Sequence, residues 1–204
     1  MTSNQIPAFD LTGALPVHAT EIDSLHRRLA DRADHDELLD VTYRTLDTPL
    51  GTLLLAATER GLVRVAYERE EFEQVLATIA QRVSPRILRT PTRLDDAVRE
   101  LDEYFAGRRR GFDLRLDHSL SGGFRAEVQR SLPTIGYGHT ASYGEVAALV
   151  GRPRAVRAVG TACATNPLPI VIPCHRVVRS DGSLGGYVGG ADAKTTLLAM
   201  EGAA

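Results

Sequence analysis

Residues 141–178 read ASYGEVAALVGRPRAVRAVGTACATNPLPIVIPCHRVV, and the punctuation of this stretch lays out its local structure. Ser142 followed three positions later by Glu145 is a capping box, the hydroxyl accepting from the third amide while the carboxylate reaches back to the cap amide. A helix over Tyr143 to Val150 is therefore expected, stopped by Gly151, which tolerates a left-handed turn. Pro153 has no amide hydrogen to leave unsatisfied and suits the first turn of a second helix running to about Ala164. Two short helices across a glycine turn, the second carrying Arg154 and Arg157, make a helix-turn-helix candidate. Beyond it, Asn166-Pro167-Leu168-Pro169 predicts an extended, proline-stiffened path into the apolar Ile170-Val171-Ile172 and then Pro173-Cys174-His175-Arg176.

A thiol is thus expected at the end of a buried, rigid segment. A free cysteine titrates near 8.5 and is mostly inert, but a neighbouring base or cation can release the thiolate nucleophile. His175, Arg176 and Arg179 lie within five residues of Cys174. The competing reading is a small buried cysteine beside an ordinary histidine. In an extended backbone Cys174 and His175 point apart, so a bridging water suits them better than a direct hydrogen bond. Structural zinc does not fit two cysteines eleven positions apart with one nearby histidine, and no metal is expected. A papain-like protease does not fit either, since only thirty residues follow Cys174. Downstream, the glycines around Tyr187 in the loop from Ser180 to Gly190 predict close backbone approach to a flat ligand. A helix carrying Lys194, Leu197, Leu198 and Glu201 follows.

Upstream the pattern changes. From Val41 onward VTYRTLD, a TPLG turn, TLLLAA and LVRVAY read as an antiparallel meander. A helix is expected from about Glu71 to Arg82, and another after the Pro85 to Pro91 stretch, with Leu94, Val98, Leu101 and Phe105 at helical spacing and Gly107 as its stop. A charged, glycine-rich linker from Arg108 to Gly123 follows, and Phe124, Val128 and Leu132 mark a helix ended by Pro133. The expected fold is α+β: an extension over residues 1–40 with a helix from about Glu21 to Leu39, a small antiparallel-sheet domain over 41–118, and a mainly helical, winged-helix-like domain over 119–204.

The formal charge of −2 over 204 residues speaks against a nucleic-acid partner, but the average hides a gradient. Residues 1–50 hold 9 acidic and 4 basic side chains, whereas residues 121–187 hold 7 arginines against 3 acids, so an anionic partner would meet the second half. Two cysteines cannot build a disulfide framework, the first twenty residues carry no signal-peptide pattern, and no apolar run approaches a membrane span, so a cytoplasmic protein without membrane attachment is expected.

Ser142 to Ala147, Arg157 to Gly160, Asn166 to Ile170, Pro173 to Val177 and Gly186 to Gly190 with Lys194 to Glu201 together resemble the O6-alkylguanine-DNA alkyltransferase family, without an evident gap over about 124–202. Residues 41–118 resemble it in pattern only. The resemblance implies direct-reversal repair: irreversible, stoichiometric transfer of a methyl or other alkyl group from O6-alkylguanine in double-stranded DNA to Cys174, with O4-alkylthymine left open. It implies that His175 takes the thiol proton through a water, Glu201 orients His175, Asn166 supports the turn and Tyr143 donates a proton to the departing guanine. Tyr187 and Val188 would line the base pocket, and the carbonyls of Cys174 and Val177 would hold the exocyclic amine. Arg157 would fill the stack vacated by the flipped base, with Ala158 and Gly160 keeping its helix slim and Arg154 adding a contact to DNA. Cys163 stands where relatives often carry a bulkier residue, making it a candidate for the pocket wall. No cofactor and no obligate protein partner are implied, and the protein is expected to act as a monomer. A DNA-binding regulator or lesion sensor using Cys174 as a reactive thiol is the alternative.

Overall fold

The computed structural model describes residues 19–36, 38–91 and 93–203; the first eighteen residues of the expected extension lie outside them. The described residues group into two units, one ending at Leu38 and one running from Leu39 onward. The first is a single helix, α1 (Ala19–His35), shorter than the expected span to Leu39. Leu25, Leu29 and Leu38, expected to form an apolar face, are each more than half exposed.

The second unit begins with the meander: β1 (Val41–Thr48), β2 (Gly51–Thr58) and β3 (Gly61–Tyr67), each antiparallel to the next. Thr48 pairs with Gly51 around Pro49-Leu50, and Thr48 Oγ1 accepts from Leu50 N at 3.1 Å. After α2 (Phe72–Arg82), a short β4 (Ile87–Arg89) joins β1 in parallel, so the sheet order is β3-β2-β1-β4. The proline-rich stretch that reads as a break thus contains an edge strand, which makes the sheet mixed.

The unbroken apolar run of β2 explains the layering, because successive side chains in a strand face opposite sides and here both sides are covered. Leu54 and Ala56 join Val41, Val63, Val75 and Ile79 beneath α2. Leu53 and Leu55 face the other way, into a core shared with Leu101 of α3 (Asp95–Phe105), Val128 of α4 (Gly123–Ser131) and residues of the helices beyond. The linker is held rather than loose: Leu62 N donates to Arg115 O and Asp117 N donates to Leu62 O, both at 2.8 Å. Gly61, at φ +133°, permits this approach, since a Cβ there would lie 2.1 Å from Arg115 O. A division near residue 118 therefore separates two compositions of secondary structure that share one core.

The remaining elements are β5 (Ala141–Ser142), α5 (Tyr143–Leu149), α6 (Val156–Ala164), β6 (Val177–Val178), parallel to β5, and α7 (Gly190–Glu201). The capping box forms as expected: Glu145 N donates to Ser142 Oγ at 3.2 Å and Ser142 N donates to Glu145 Oε2 at 2.6 Å. Gly151 takes φ +70°. One expectation is corrected: Pro153 and Arg154 sit in a turn before α6, so Arg154 is not on the second helix. The chain uses residues 151–155 to reorient, with Arg152 N returning to Ala147 O and Ala155 N to Arg152 O, both at 2.8 Å.

Candidate active site

Residues 166–178 are all buried, and Cys174 is 2% exposed. Asn166 organises the turn that delivers the thiol. Its Oδ1 accepts from Leu168 N at 3.0 Å, and its Nδ2 donates to Ile172 O at 2.9 Å and to Cys174 Sγ at 3.2 Å. Ile170 adopts φ +73°, a conformation that costs a β-branched residue about 1–3 kcal/mol and is held by the Ile172 N to Leu168 O bond at 2.8 Å. Residues 167–172 form bends and turns where an extended path was expected from Asn166, and the backbone then tightens into one turn of 3₁₀ helix over Cys174–Arg176.

His175 is fully buried, and its Nε2 lies 3.0 Å from Glu201 Oε1 at the end of α7. Burial raises the Glu201 carboxyl, but hydrogen bonds from His175 and Arg176 outweigh that and hold it down at about 2. An ionised carboxylate only accepts, so Nε2 carries the imidazole proton and Nδ1 is left as the basic nitrogen. Nδ1 is buried and has no hydrogen-bond partner among the described residues. Burial, more than the opposing pull of Glu201, lowers the His175 pKa, so the resting ring is neutral and its Nδ1 offers a lone pair as acceptor. Burial likewise pushes the Cys174 thiol up to about 11, although Asn166 and the nearby Lys194 charge oppose this. The resting form is a thiol, and the arrangement can move its proton only when a reaction demands it.

Arg176, one of three candidates for activating the thiol, bonds to Glu201. Its Nε donates to Oε2 at 2.8 Å and its Nη2 to Oε1 at 2.9 Å, while Nη1 donates to Ile135 O at 2.6 Å. Tyr104 of α3 donates to Glu201 Oε1 at 2.7 Å. Neither link was anticipated: Tyr104 falls among apolar positions of a helix and looks like a core residue. Lys194 is fully buried, and its ammonium donates to Val177 O at 2.5 Å. The Val177 carbonyl expected to meet a ligand amine therefore already accepts one bond and keeps its second lone pair.

Tyr143 is partly buried at the start of α5, and burial raises its pKa, so it stays a proton donor. The glycine loop is corrected in its logic, because most of its glycines make room for this chain's own side chains. A Cβ on Gly185 would lie 2.1 Å from Tyr143 Oη, on Gly189 2.5 Å from the Tyr67 ring and on Gly190 2.2 Å from the Arg69 guanidinium. Gly182 and Gly186 face open space. Tyr187 stands edge-on to His175, with ring centres 6.3 Å apart. Val188 packs against the core and lines a cleft of ≈ 310 Å³ with Asn166, Pro167 and Val75, whose walls do not include Cys174. Cys163 is buried in the core, 3% exposed, and burial pushes its thiol up to about 12.

On α6, Val159, Ala162 and Cys163 face inward while Val156, Arg157, Ala158 and Thr161 are exposed. Gly160 is only half-exposed, and a Cβ there would still be 4.0 Å from the Tyr143 ring. Arg154 is exposed in the preceding turn, beside Arg152, whose guanidinium lies 5.3 Å from the Phe124 ring centre. Exposed Arg154 and Arg157 with the short Ala158 side chain beside them form a surface suited to close approach by a polyanion. Among the described residues no group of three or more His, Cys, Asp or Glu is placed to hold a metal ion, and no helix is long and apolar enough to cross a membrane.

Two family descriptions match the chain: the ribonuclease-like domain of 6-O-methylguanine DNA methyltransferase over residues 41–118, and its DNA binding domain over residues 123–203. A methylated-DNA–protein-cysteine methyltransferase of Mycolicibacterium paratuberculosis is 43% identical over 162 residues, covering 79% of this chain and 92% of the relative. Among solved structures, the O6-methylguanine methyltransferase of Mycobacterium tuberculosis has a TM-score of 0.69 at 40% identity, covering 79% of this chain and 93% of the other. The OGT of the same organism solved in complex with DNA has the same TM-score and identity, over 79% of this chain and 92% of that one.

Proposed function

The chain belongs to the O6-alkylguanine-DNA alkyltransferase family, and from that premise we propose that Cys174 is the residue onto which it moves alkyl groups from DNA in direct-reversal repair. The substrate is O6-alkylguanine in a duplex. A base inside a duplex hides its alkylated oxygen, so extrusion is required, at a cost of a few kcal/mol that is smallest for a badly paired lesion. Arg157, exposed on α6, enters the stack behind the flipped base, while Ala158 and Gly160 keep the helix close and Arg154 adds a phosphate contact.

The observation that carries the reading is the buried His175–Glu201 pair next in sequence to the buried Cys174, with Nδ1 of His175 left without a hydrogen-bond partner among the described residues. The thiol proton passes to Nδ1 through a water, and the sulfur attacks the alkyl carbon. The S–C bond forms as the C–O6 bond breaks, and the departing guanine takes a proton from Tyr143, leaving an unmodified base. Tyr187 and Val188 shape the pocket, Asn166 aims the sulfur, the Cys174 and Val177 carbonyls receive the base amine, and Cys163 bounds the pocket from behind. The thioether is stable, so each molecule acts once.

In this reading residues 119–204 bind DNA and accept the alkyl group, residues 41–118 brace that half, and the protein works as a cytoplasmic monomer without an obligate partner. Incubation with a methylated-guanine duplex should add one methyl group to the intact protein mass, and Cys174→Ala should abolish the addition. An unchanged parent mass, or a methylated Cys174→Ala protein, would refute the proposal.

A further inference from the structure

Tyr67 ends β3, far from the acceptor motif in sequence, yet reaches the other side of the pocket loop. Its side chain is 3% exposed, and its hydroxyl lies 2.9 Å from the hydroxyl of Tyr187. The two rings meet edge-on at 75°, with centres 5.8 Å apart. Tyr67 is itself fixed from behind: it pairs with Leu53 of β2, and its amide donates to Glu70 Oε1 at 2.9 Å, Glu70 being ion-paired with Arg64. Its ring occupies the space a side chain at Gly189 would need, and Arg69 does the same at Gly190. The loop is thus seated on the end of β3 by shape and by one phenol pair. Beyond the pair, Tyr187 stands edge-on to His175, so a displacement of Tyr187 is felt beside the proton acceptor.

We propose that Tyr67 is a positioning residue for alkyl transfer, its hydroxyl holding Tyr187 at the pocket and so coupling the first-half sheet to the substrate loop. This rests on the reading of Tyr187 as a pocket residue. Tyr67 touches neither the alkyl group nor the sulfur; it acts through Tyr187 alone. Without its oxygen, the Tyr187 hydroxyl keeps its place only by packing, and the loop samples orientations that do not grip the flipped base. The ring would still fill the space against Gly189 in Tyr67→Phe, so the fold has no reason to change.

The test compares Tyr67→Phe, Tyr187→Phe and the double variant in single-turnover transfer from a methylated-guanine duplex, with protein in excess over a range of concentrations. Tyr67→Phe should lower the first-order transfer rate about three- to tenfold, the range one neutral hydrogen bond supplies. Duplex affinity should stay at the parent value and the thermal midpoint should fall by only about 2–4 °C, the shift one lost hydrogen bond supplies in a chain of this size, a split from the rate that a merely structural tyrosine would not produce. Because Tyr67 works through Tyr187, the double variant should be no slower than Tyr187→Phe. A Tyr67→Phe rate within about twofold of the parent, or losses that multiply in the double variant, would overturn the proposal. Failure of the underlying function is separately visible, since the parent would then transfer no methyl group; a parent that transfers and a Tyr67→Phe protein that matches it would sink the positioning role alone.

Discussion

Replacing Glu201 with glutamine tests the centre of the site, because this carboxylate is buried and five donors converge on it. His175, Tyr104 and Arg176 Nη2 meet one oxygen, while Arg176 Nε and, at 3.4 Å, Gly138 N meet the other. Glutamine keeps the shape but turns one acceptor into a donor, leaving the buried Arg176 guanidinium facing an NH₂ group. Two routes give the size of the loss. Removing one partner of a buried ion pair costs about 3–5 kcal/mol. Independently, a carboxyl held at about 2 against its ordinary 4.5 contributes about 3 kcal/mol, at 1.36 kcal/mol per pH unit. For a chain of this size that lowers the melting temperature by about 6–12 °C. The sign with pH follows from a depressed carboxyl: its contribution is complete above about 4.5 and disappears as pH falls toward about 2. Urea unfolding of Glu201→Gln and parent should therefore differ by about 3 kcal/mol at pH 7 and by about half that near pH 3. Transfer should slow as well, by about tenfold or more, because the charge that fixes the His175 tautomer is gone. A pH 7 difference below about 1 kcal/mol, or one that does not shrink in acid, would refute the reasoning.

Two further outcomes are expected. Arg157→Ala should lower the single-turnover transfer rate about tenfold or more while changing duplex affinity little, since one lost phosphate contact flattens the salt slope by only about 0.9, whereas flipping loses its plug; equal losses in rate and affinity would contradict this. Iodoacetamide should label Cys174 and Cys163 more slowly than free cysteine at pH 8, with Cys174 accelerating toward pH 11 and Cys163 lagging, because burial pushes the two thiols up to about 11 and about 12. Mass mapping of the labelled peptides checks the order, and fast labelling at neutral pH would show the thiols to be exposed or activated in the resting protein.

The features legible in the sequence are those decided within a few residues of themselves. The capping box at Ser142, the left-handed stop at Gly151, the Gly107 stop of α3 and the meander turns all form where their local chemistry places them. The limits of such reading are also physical. Pro153 is compatible with a helix start but does not require one, and the helix begins at Val156, after the turn that Gly151 opens. A three-residue edge strand at Ile87 has too few side chains to show a period, and it exists because the free edge of β1 offers it partners.

The same boundary runs through the site. Cys174, His175 and Asn166 share one short segment, and in the proposed mechanism they act with Glu201. What those residues lean on was decided only by the folded chain. Arg176 turns to Glu201 and away from the thiol, Tyr104 crosses from α3 to the same carboxylate, and Tyr67 crosses from β3 to Tyr187. The glycines of the pocket loop likewise take their meaning from the tyrosines and the arginine packed against them. Sequence by itself determines helix ends, turns and strand faces because those energies act between near neighbours along the chain. The partners of buried charges and phenols are set by which distant surfaces share a core, and a tyrosine destined for a carboxylate looks, in its own helix, like any other residue that fills one.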